Sequence, residues 1–156
     1  MSGRGGAFEV SSVLAAPPEE VWARVSTMAG VNAELGPVFR MTFPEEFSSV
    51  DPAAVPLGRR VFRSWILLFG VLPVDYDDIG FEWIEPGRGF RERSTMLSQR
   101  RWIHERRIEP AGGGCRVTDR IRFEPRVPGL VWLFRPILRG TFLHRHRRLR
   151  AAFGGR

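Results

Sequence analysis

Hydrophobic and polar residues alternate with a period of two along most of this chain, which is typical of half-buried β-strands. The alternation stops at short segments rich in Gly and Pro, and "PAGGG" at residues 110–114 predicts a tight hairpin. The pattern predicts seven strands, at residues 7–17, 38–43, 59–70, 73–87, 89–97, 100–110 and 115–126.

Helical spacing occurs at two places. Residues 17–30 begin with two prolines, carry Glu19 and Glu20 in the first turn, and repeat apolar residues at helical intervals. Residues 30–37 predict at most a second short helix, and residues 45–58 a polar, proline-bearing loop. After Pro128 and Gly129 the helical pattern continues to Phe153. An antiparallel sheet has one face to bury, so the sequence predicts an α+β fold in which a curved seven-stranded sheet wraps the long last helix and leaves a pocket between them.

The length of 156 residues allows one compact domain. We expect it at residues 7–153, after a flexible tail at residues 1–6. No apolar run approaches the roughly 20 residues of a membrane span, and no secretion signal is visible, so a cytoplasmic protein is expected. The single cysteine, Cys115, lies in a strand pattern, where a buried apolar role is expected. A homodimer remains open.

The charge pattern is one-sided, because all 24 basic residues are arginine and the net charge is +7. Proteins that bind phosphate usually employ lysine as well, and the absence of lysine beside abundant Gly, Ala and Pro is typical of a GC-rich genome. Nucleic acid is therefore not expected as a partner. An arginine-rich face that contacts an acidic partner or a membrane surface stays an alternative.

Strand alternation places several ionisable residues on inward faces. In residues 100–110 the inward set includes Trp102, His104 and Arg106, and in residues 115–126 Asp119 lies in the middle of an apolar face. Pairing through the hairpin at 110–114 puts Asp119 across from or diagonal to His104 and Arg106, with Glu92 one strand further. These four residues form either a buried ion-pair network that fixes the register, or a polar wall that anchors a ligand or supplies a general acid or base.

Aromatic and apolar residues on the strands and the last helix are candidates for contact with a ligand. Trp65, Trp83 and Trp102 each lie in the middle of a strand, where core and pocket wall overlap. With the polar residues, the predicted ligand-binding set is Trp65, Trp83, Trp102, His104, Arg106, Asp119, Glu92, Met96, Phe81 and Phe142, and the catalytic candidates are His104, Asp119 and Glu92.

Three further features are expected to be structural. The acidic run at residues 75–78 lacks the spacing of a calcium loop and predicts a solvated strand end, so no metal is expected. Asn32 and Glu34 are expected to cap a helix or pair at the surface, with a pocket entrance as the alternative. On a helix, His144 and His146 point to opposite sides and cannot chelate one metal, and His146 is expected to pack within the apolar stripe.

Several segments, in this order, resemble a known family. "AAPPEEVWARV", "ERSTMLSQRRWIHERRIEP", "CRVTDRIRFEP" and the final "HRHRRL" are similar to the START-like (SRPBCC) superfamily, in its bacterial polyketide-cyclase and lipid-transport branch. The resemblance implies a helix-grip fold whose internal cavity binds hydrophobic small molecules, lipids or polyketide-like intermediates. Some members are enzymes and many only bind, and no superfamily-wide catalytic motif exists to transfer.

The sequence therefore predicts a protein that binds a hydrophobic or aromatic small molecule. The alternatives are a cofactor-independent cyclase, aromatase or dehydratase, and an interaction module. No phosphate loop, zinc spacing, nucleophile elbow or dinucleotide fingerprint is present, so no cofactor is expected.

Overall fold

The computed structural model describes residues 4–49 and 55–156. Its centre is one curled sheet of seven antiparallel strands in the order β1-β7-β6-β5-β4-β3-β2, which confirms the predicted sheet. Residues 1–3 of the predicted tail and 50–54 of the predicted loop lie outside the described residues. The strands are β1 Gly6–Leu14, β2 Phe39–Met41, β3 Arg60–Leu68, β4 Leu72–Glu85, β5 Gly89–Met96, β6 Gln99–Ala111 and β7 Gly114–Pro125.

Three α-helices accompany the sheet: α1 Pro18–Val25, α2 Met28–Leu35 and α3 Val131–Phe153. The predicted helix at residues 17–30 is divided because Thr27 takes an extended conformation and caps α2, where its Oγ1 accepts a hydrogen bond from the Gly30 N–H at 2.9 Å. A short 3₁₀ helix, Glu45–Phe47, lies in the predicted loop. In the described residues, no helix is both long enough and apolar enough to cross a membrane.

The hydrophobic core fills the space between the sheet and α3. Near the end of α3, Leu149 packs with Leu14, Val21 and Val117. Near its middle, Phe142 packs with Trp102 of β6 and with apolar residues of β1, β5 and β7. The long last helix therefore covers the inner face of the sheet, as the sequence predicts, and Cys115 is buried beneath it.

The register of β5, β6 and β7 decides which polar groups meet. Arg106 of β6 pairs with Asp119 of β7, and Glu92 of β5 pairs with His104 of β6. All four side chains are buried, and Asp119 and Arg106 reach side chains of α3 and α2, so the predicted inward faces of these strands are confirmed. The hairpin between β6 and β7 turns at Gly112, whose positive φ of 57° suits glycine.

The two edges of the sheet are short or covered. At one edge β2 has only three residues. At the other, the end of the chain pairs with β1: Val13 and Arg156 exchange two backbone hydrogen bonds of 2.7 and 2.8 Å. Further along β1, the Arg135 guanidinium donates to the Ala7 carbonyl oxygen. These contacts satisfy backbone groups that an edge strand leaves free.

Candidate functional site

A cavity of about 350 Å³ lies between the sheet and helices α2 and α3. Apolar side chains from eight elements form most of its wall, among them Val25, Leu35, Met41, Ile79, Phe90 and Leu138. Two of its lining residues, Val74 and Ile137, are 44% and 49% exposed. The cavity therefore opens to solvent between the start of β4 and the first half of α3.

Four ionisable side chains gather on the inner part of the cavity wall. Asp77 comes from β4, Glu92 from β5, His104 from β6 and Arg145 from α3. Each is buried. Because their elements are fixed by the sheet register and by the packing of α3, these groups are held in place before any ligand arrives.

A network behind this wall centres on the Asp119 carboxylate, which is 0% exposed. Oδ1 accepts hydrogen bonds from His104 Nε2 at 2.8 Å and Arg106 Nε at 2.7 Å. Oδ2 accepts from Arg106 Nη2 and His146 Nε2, both at 2.7 Å. Burial alone would raise the pKa of Asp119, but Arg106 and His104 outweigh it and hold the pKa well below its ordinary value. Asp119 is thus a buried carboxylate with four donors.

Glu34 supplies the second carboxylate of the network. It accepts from Arg106 Nη1 and Nη2 at 3.0 and 2.9 Å and from Arg145 Nε at 3.0 Å. Burial opposes its charge, yet the two guanidinium groups lower the pKa of Glu34. The expectation of a helix cap or a surface pair is therefore wrong for Glu34, because its partners come from β6 and α3 rather than from neighbouring residues. Asn32 instead exchanges two hydrogen bonds with the Met41 backbone.

The geometry of His104 fixes its tautomer. Its pKa is lowered, chiefly by burial against the opposing pull of Asp119, so the ring is neutral at neutral pH. The ionised Asp119 can only accept, so His104 Nε2 carries the hydrogen. The lone pair is then on Nδ1, which lies 3.9 Å from Glu92 Oε1. His104 can accept a hydrogen bond or a proton from a group in the cavity.

Asp77 and Glu92 form a pair of carboxyl groups in the same wall. Burial and the neighbouring Glu92 raise the pKa of Asp77 well above its ordinary value, so Asp77 is protonated well above the pH at which a free aspartic acid ionises. Its Oδ1 has no hydrogen-bond partner within the described residues. Ser94 Oγ donates to Glu92 Oε2 at 2.8 Å. The pair therefore leaves one buried polar atom of a cavity-lining residue without a hydrogen-bond partner among the described residues.

The predicted solvated strand end at residues 75–78 is wrong for Asp77, because β4 continues through this run and turns Asp77 toward the cavity. Asp75 also lines the cavity and accepts hydrogen bonds from the Ser98 backbone N–H and hydroxyl. Only Asp78 faces outward, where Arg63 Nε donates to it at 2.8 Å. Over the described part of the chain, no three His, Cys, Asp or Glu side chains are arranged to hold a metal ion.

The structure separates the sequence-predicted ligand residues into two groups. Those that line the cavity are Phe81, Glu92, Trp102, His104 and Phe142. Arg106 and Asp119 lie behind the wall in the network, and Met96 packs in the core beside Trp102, so these three do not line the cavity as predicted.

Two tryptophans lie on the outer face of the sheet, against the prediction. Trp65 points to the opposite face of the sheet from its neighbour Ile66, which lines the cavity. Its side chain is 41% exposed and packs edge-on against Tyr76. Trp83 lies under the Arg107 guanidinium, 5.0 Å from the ring centre. A register shift in the β4–β5 pairing between Phe81 and Trp83 explains why only Phe81 faces the cavity.

His146 lies below the cavity rather than on its wall. It is 0% exposed, and besides Asp119 it contacts Ser12 Oγ through Nδ1 at 2.8 Å. Arg150 donates to the same Ser12 oxygen. The surroundings of His146 are therefore polar as well as apolar. Its ring connects Ser12 of β1 to Asp119 of β7. His144 points elsewhere and contacts the Gly36 carbonyl oxygen at 2.8 Å.

The network predicts a large loss of stability when Asp119 loses its charge. Asp119→Asn removes the charge and replaces one acceptor oxygen with an amide group that donates toward its former donors, so we expect the free energy of unfolding to fall by about 3–5 kcal/mol. Urea unfolding measures this. Asp78→Asn is the matched control, since it removes a carboxylate from an exposed pair, and its loss should be much smaller. Equal losses for both variants would contradict the central role of Asp119.

The raised pKa of Asp77 predicts that this group makes the protein less stable as the pH rises. Native Asp77 keeps a proton that the unfolded chain releases above about pH 4, so wild-type stability falls as the pH rises toward the native pKa. Asp77→Asn mimics the protonated acid and should gain stability relative to wild type as the pH rises from about 4 to neutral. Urea unfolding across this range tests it. Asp78→Asn should change in the other direction, because Arg63 lowers the pKa of Asp78.

Comparisons with known proteins agree with this architecture. The family model described as "Domain of unknown function (DUF8410)" matches residues 12–153. No curated protein matches the sequence. Protein CV1439 from Chromobacterium violaceum is similar in structure, with 16% identity, a TM-score of 0.72, and coverage of 96% of this chain and 98% of that one.

Two further solved structures are similar to this chain over most of their length. Zhui aromatase/cyclase from Streptomyces sp. R1128 has 12% identity and a TM-score of 0.66, over 93% of this chain and 91% of that one. Ara h 8.0201 has 12% identity and a TM-score of 0.58, over 94% and 99%. At such identities the likeness establishes the fold, and it confirms the helix-grip fold that the START-like resemblance implies. Because the family model covers almost the whole sequence, the chain belongs to the DUF8410 family.

Proposed function

We propose that this protein encloses a hydrophobic or aromatic small molecule and that the polar wall binds one neutral group of that ligand. One observation carries the proposal: an apolar cavity ends on a buried wall where Asp77 Oδ1 has no partner among the described residues. Buried polar groups without partners are costly, so an unpartnered atom on a cavity-lining residue favours a ligand that supplies the hydrogen bond.

The size and lining of the cavity support a small apolar ligand. About 350 Å³ is within the range of small-molecule sites, roughly 300–1,000 Å³. Aromatic side chains such as Phe81, Phe90 and Phe142 offer faces and edges to a planar ring. Aromatic compounds of two or three rings fit this description.

The chemistry of the wall favours a neutral polar group over a charged one. Protonated Asp77 is a donor and His104 Nδ1 is an acceptor, so a carbonyl and a hydroxyl are complementary to them. An anionic carboxylate in the same place would face Glu92 and lose its water. We therefore infer that ligands such as phenols, alcohols and ketones bind more tightly than acids of equal size.

N-phenyl-1-naphthylamine, a neutral fluorescent probe, tests the cavity directly. The wild-type protein should enhance its fluorescence, and Leu138→Trp should abolish the enhancement because the larger side chain fills the cavity. Leu143→Trp is the matched control, since Leu143 lies on the exposed side of α3, and it should bind like wild type. Equal binding by both variants would place the probe outside the cavity.

The same probe tests the polar wall through displacement. 2-Naphthol should displace it at about tenfold lower concentration than naphthalene, as expected for one added hydrogen bond. Asp77→Leu should reduce that preference while leaving naphthalene binding intact. A wild-type protein that does not distinguish the two compounds would contradict anchoring by the wall. Native mass spectrometry of the purified protein would identify ligands that co-purify.

A cofactor-independent enzyme that moves a proton is the second candidate function. The arrangement of His104 favours it: Asp119 orients the ring through Nε2 and leaves Nδ1 to act as a base in the cavity. The Arg145 guanidinium in the same wall can stabilise an enolate oxygen. The similarity in fold to the Zhui aromatase/cyclase gives this candidate function further support.

Exchange of the methyl protons of 2-acetylnaphthalene in D₂O tests this second function. His104 Nδ1 would take a methyl proton, the electron pair would move onto the carbonyl oxygen, and deuterium would return to carbon. His104→Gln keeps a donor for Asp119 but lacks the base, so we expect about a hundredfold slower exchange with binding retained. His146→Gln is the control on the same carboxylate and should exchange normally. Equal rates in both variants would remove catalysis from consideration.

A further inference from the structure

Exposed apolar side chains are concentrated at one end of the molecule. The antiparallel order places the β3–β4 hairpin, the β5–β6 turn and the end of β7 at the same end of the sheet, next to the start of α3. Of the twelve large apolar residues exposed in the described parts of the chain, nine lie here. We call this surface the apolar end, formed by Phe69, Val71, Leu72, Val74, Leu97, Val127, Trp132, Leu133 and Ile137.

The apolar end surrounds the opening of the cavity. Val74 and Ile137 belong to both, since they line the cavity and are also exposed. Soluble proteins rarely leave so many large apolar side chains together in water, and such patches mark surfaces of interaction. A partner that covers the apolar end therefore also covers the entrance.

The tip of the β3–β4 hairpin exposes apolar side chains to solvent, and one of these residues has an unfavourable backbone conformation. Phe69 has a φ of 54°, a left-handed conformation that aromatic residues seldom adopt, and is 69% exposed. Its N–H donates to the Val38 carbonyl oxygen at 2.7 Å, which fixes the tip. Val71 beside it is 79% exposed. Residues 67–74 contain no charged side chain. Strain of this kind is concentrated at functional segments.

Unpaired positive charge flanks the apolar end. Arg40, Arg126, Arg135 and Arg139 are exposed beside its segments, and within residues 4–49 and 55–156 none of them forms a salt bridge. Helix α3 contains six arginines and no acidic residue. Two copies of this surface would bring like charges together, whereas an anionic surface would neutralise them.

We propose that the apolar end binds the surface of an anionic phospholipid bilayer, with the β3–β4 hairpin and the start of α3 inserted among the lipids and the arginines on the headgroups. Apolar side chains enter the boundary of the acyl chains, Trp132 suits the interface, and arginine extends its charge to phosphate. This goes beyond the proposed function, because the contact needs no bound ligand. It also places the opening of the cavity against a reservoir of hydrophobic molecules.

Co-sedimentation with vesicles tests the proposal. The full chain should sediment with vesicles of equimolar phosphatidylcholine and phosphatidylglycerol, remain in solution with phosphatidylcholine alone, and dissociate as the salt concentration rises. Phe69→Asp combined with Val71→Asp should weaken binding about tenfold or more. Aspartate tolerates a positive φ better than phenylalanine, so the fold should persist. Leu57→Asp is the control, because Leu57 is exposed outside the apolar end.

Charge is tested separately with Arg40→Gln and Arg139→Gln, each of which should weaken binding to anionic vesicles about fivefold. Failure of the wild-type chain to sediment with anionic vesicles overturns the proposal, as does unchanged binding by the Phe69 and Val71 variant. A concentration-dependent dimer that this variant abolishes, without vesicle binding, would assign the surface to a second copy. The hairpin variant should still bind N-phenyl-1-naphthylamine, so failure of docking and failure of the cavity proposal are distinguishable.

Discussion

The position of α3 over the sheet depends on one buried carboxylate. Asp119 of β7 accepts hydrogen bonds from β6 through His104 and Arg106 and from α3 through His146. Arg106 continues to Glu34 of α2. A buried charge is tolerated only when its partners surround it, so these elements must reach their places together. The carboxylate thereby sets the spacing between helix and sheet, and with it the shape of the cavity.

The same network determines the chemistry of the cavity wall. Because Asp119 fixes the hydrogen on His104 Nε2, the ring turns its lone pair away from the network. Because Glu34 accepts a hydrogen bond from Arg145, the guanidinium of Arg145 is held at the cavity wall. The stability of the fold and the hydrogen-bonding groups of the cavity wall therefore depend on the same few residues, and a change that loosens one disturbs the other.

The sequence predicts the features that depend on local period. Alternation along β6 and β7 is enough to place Asp119 across from or diagonal to His104 and Arg106, and helical spacing is enough to predict α3. Glu34 could not be predicted, because its partner Arg106 is 72 positions away and belongs to another element. Asp77 has the same difficulty, since its environment depends on Glu92 across the sheet. The outward direction of the Trp83 side chain could not be predicted either, because the irregular pairing between β4 and β5 leaves no signal in the alternation of residues.

The covered edges of the sheet have a consequence for how this protein can associate. An open edge strand offers backbone groups to any extended chain, and it is a common starting point for aggregation. Here the final residues lie along β1, and β2 at the far side is too short to template a long ladder. This arrangement favours contacts between molecules that use side chains. Such contacts can be reversible and selective.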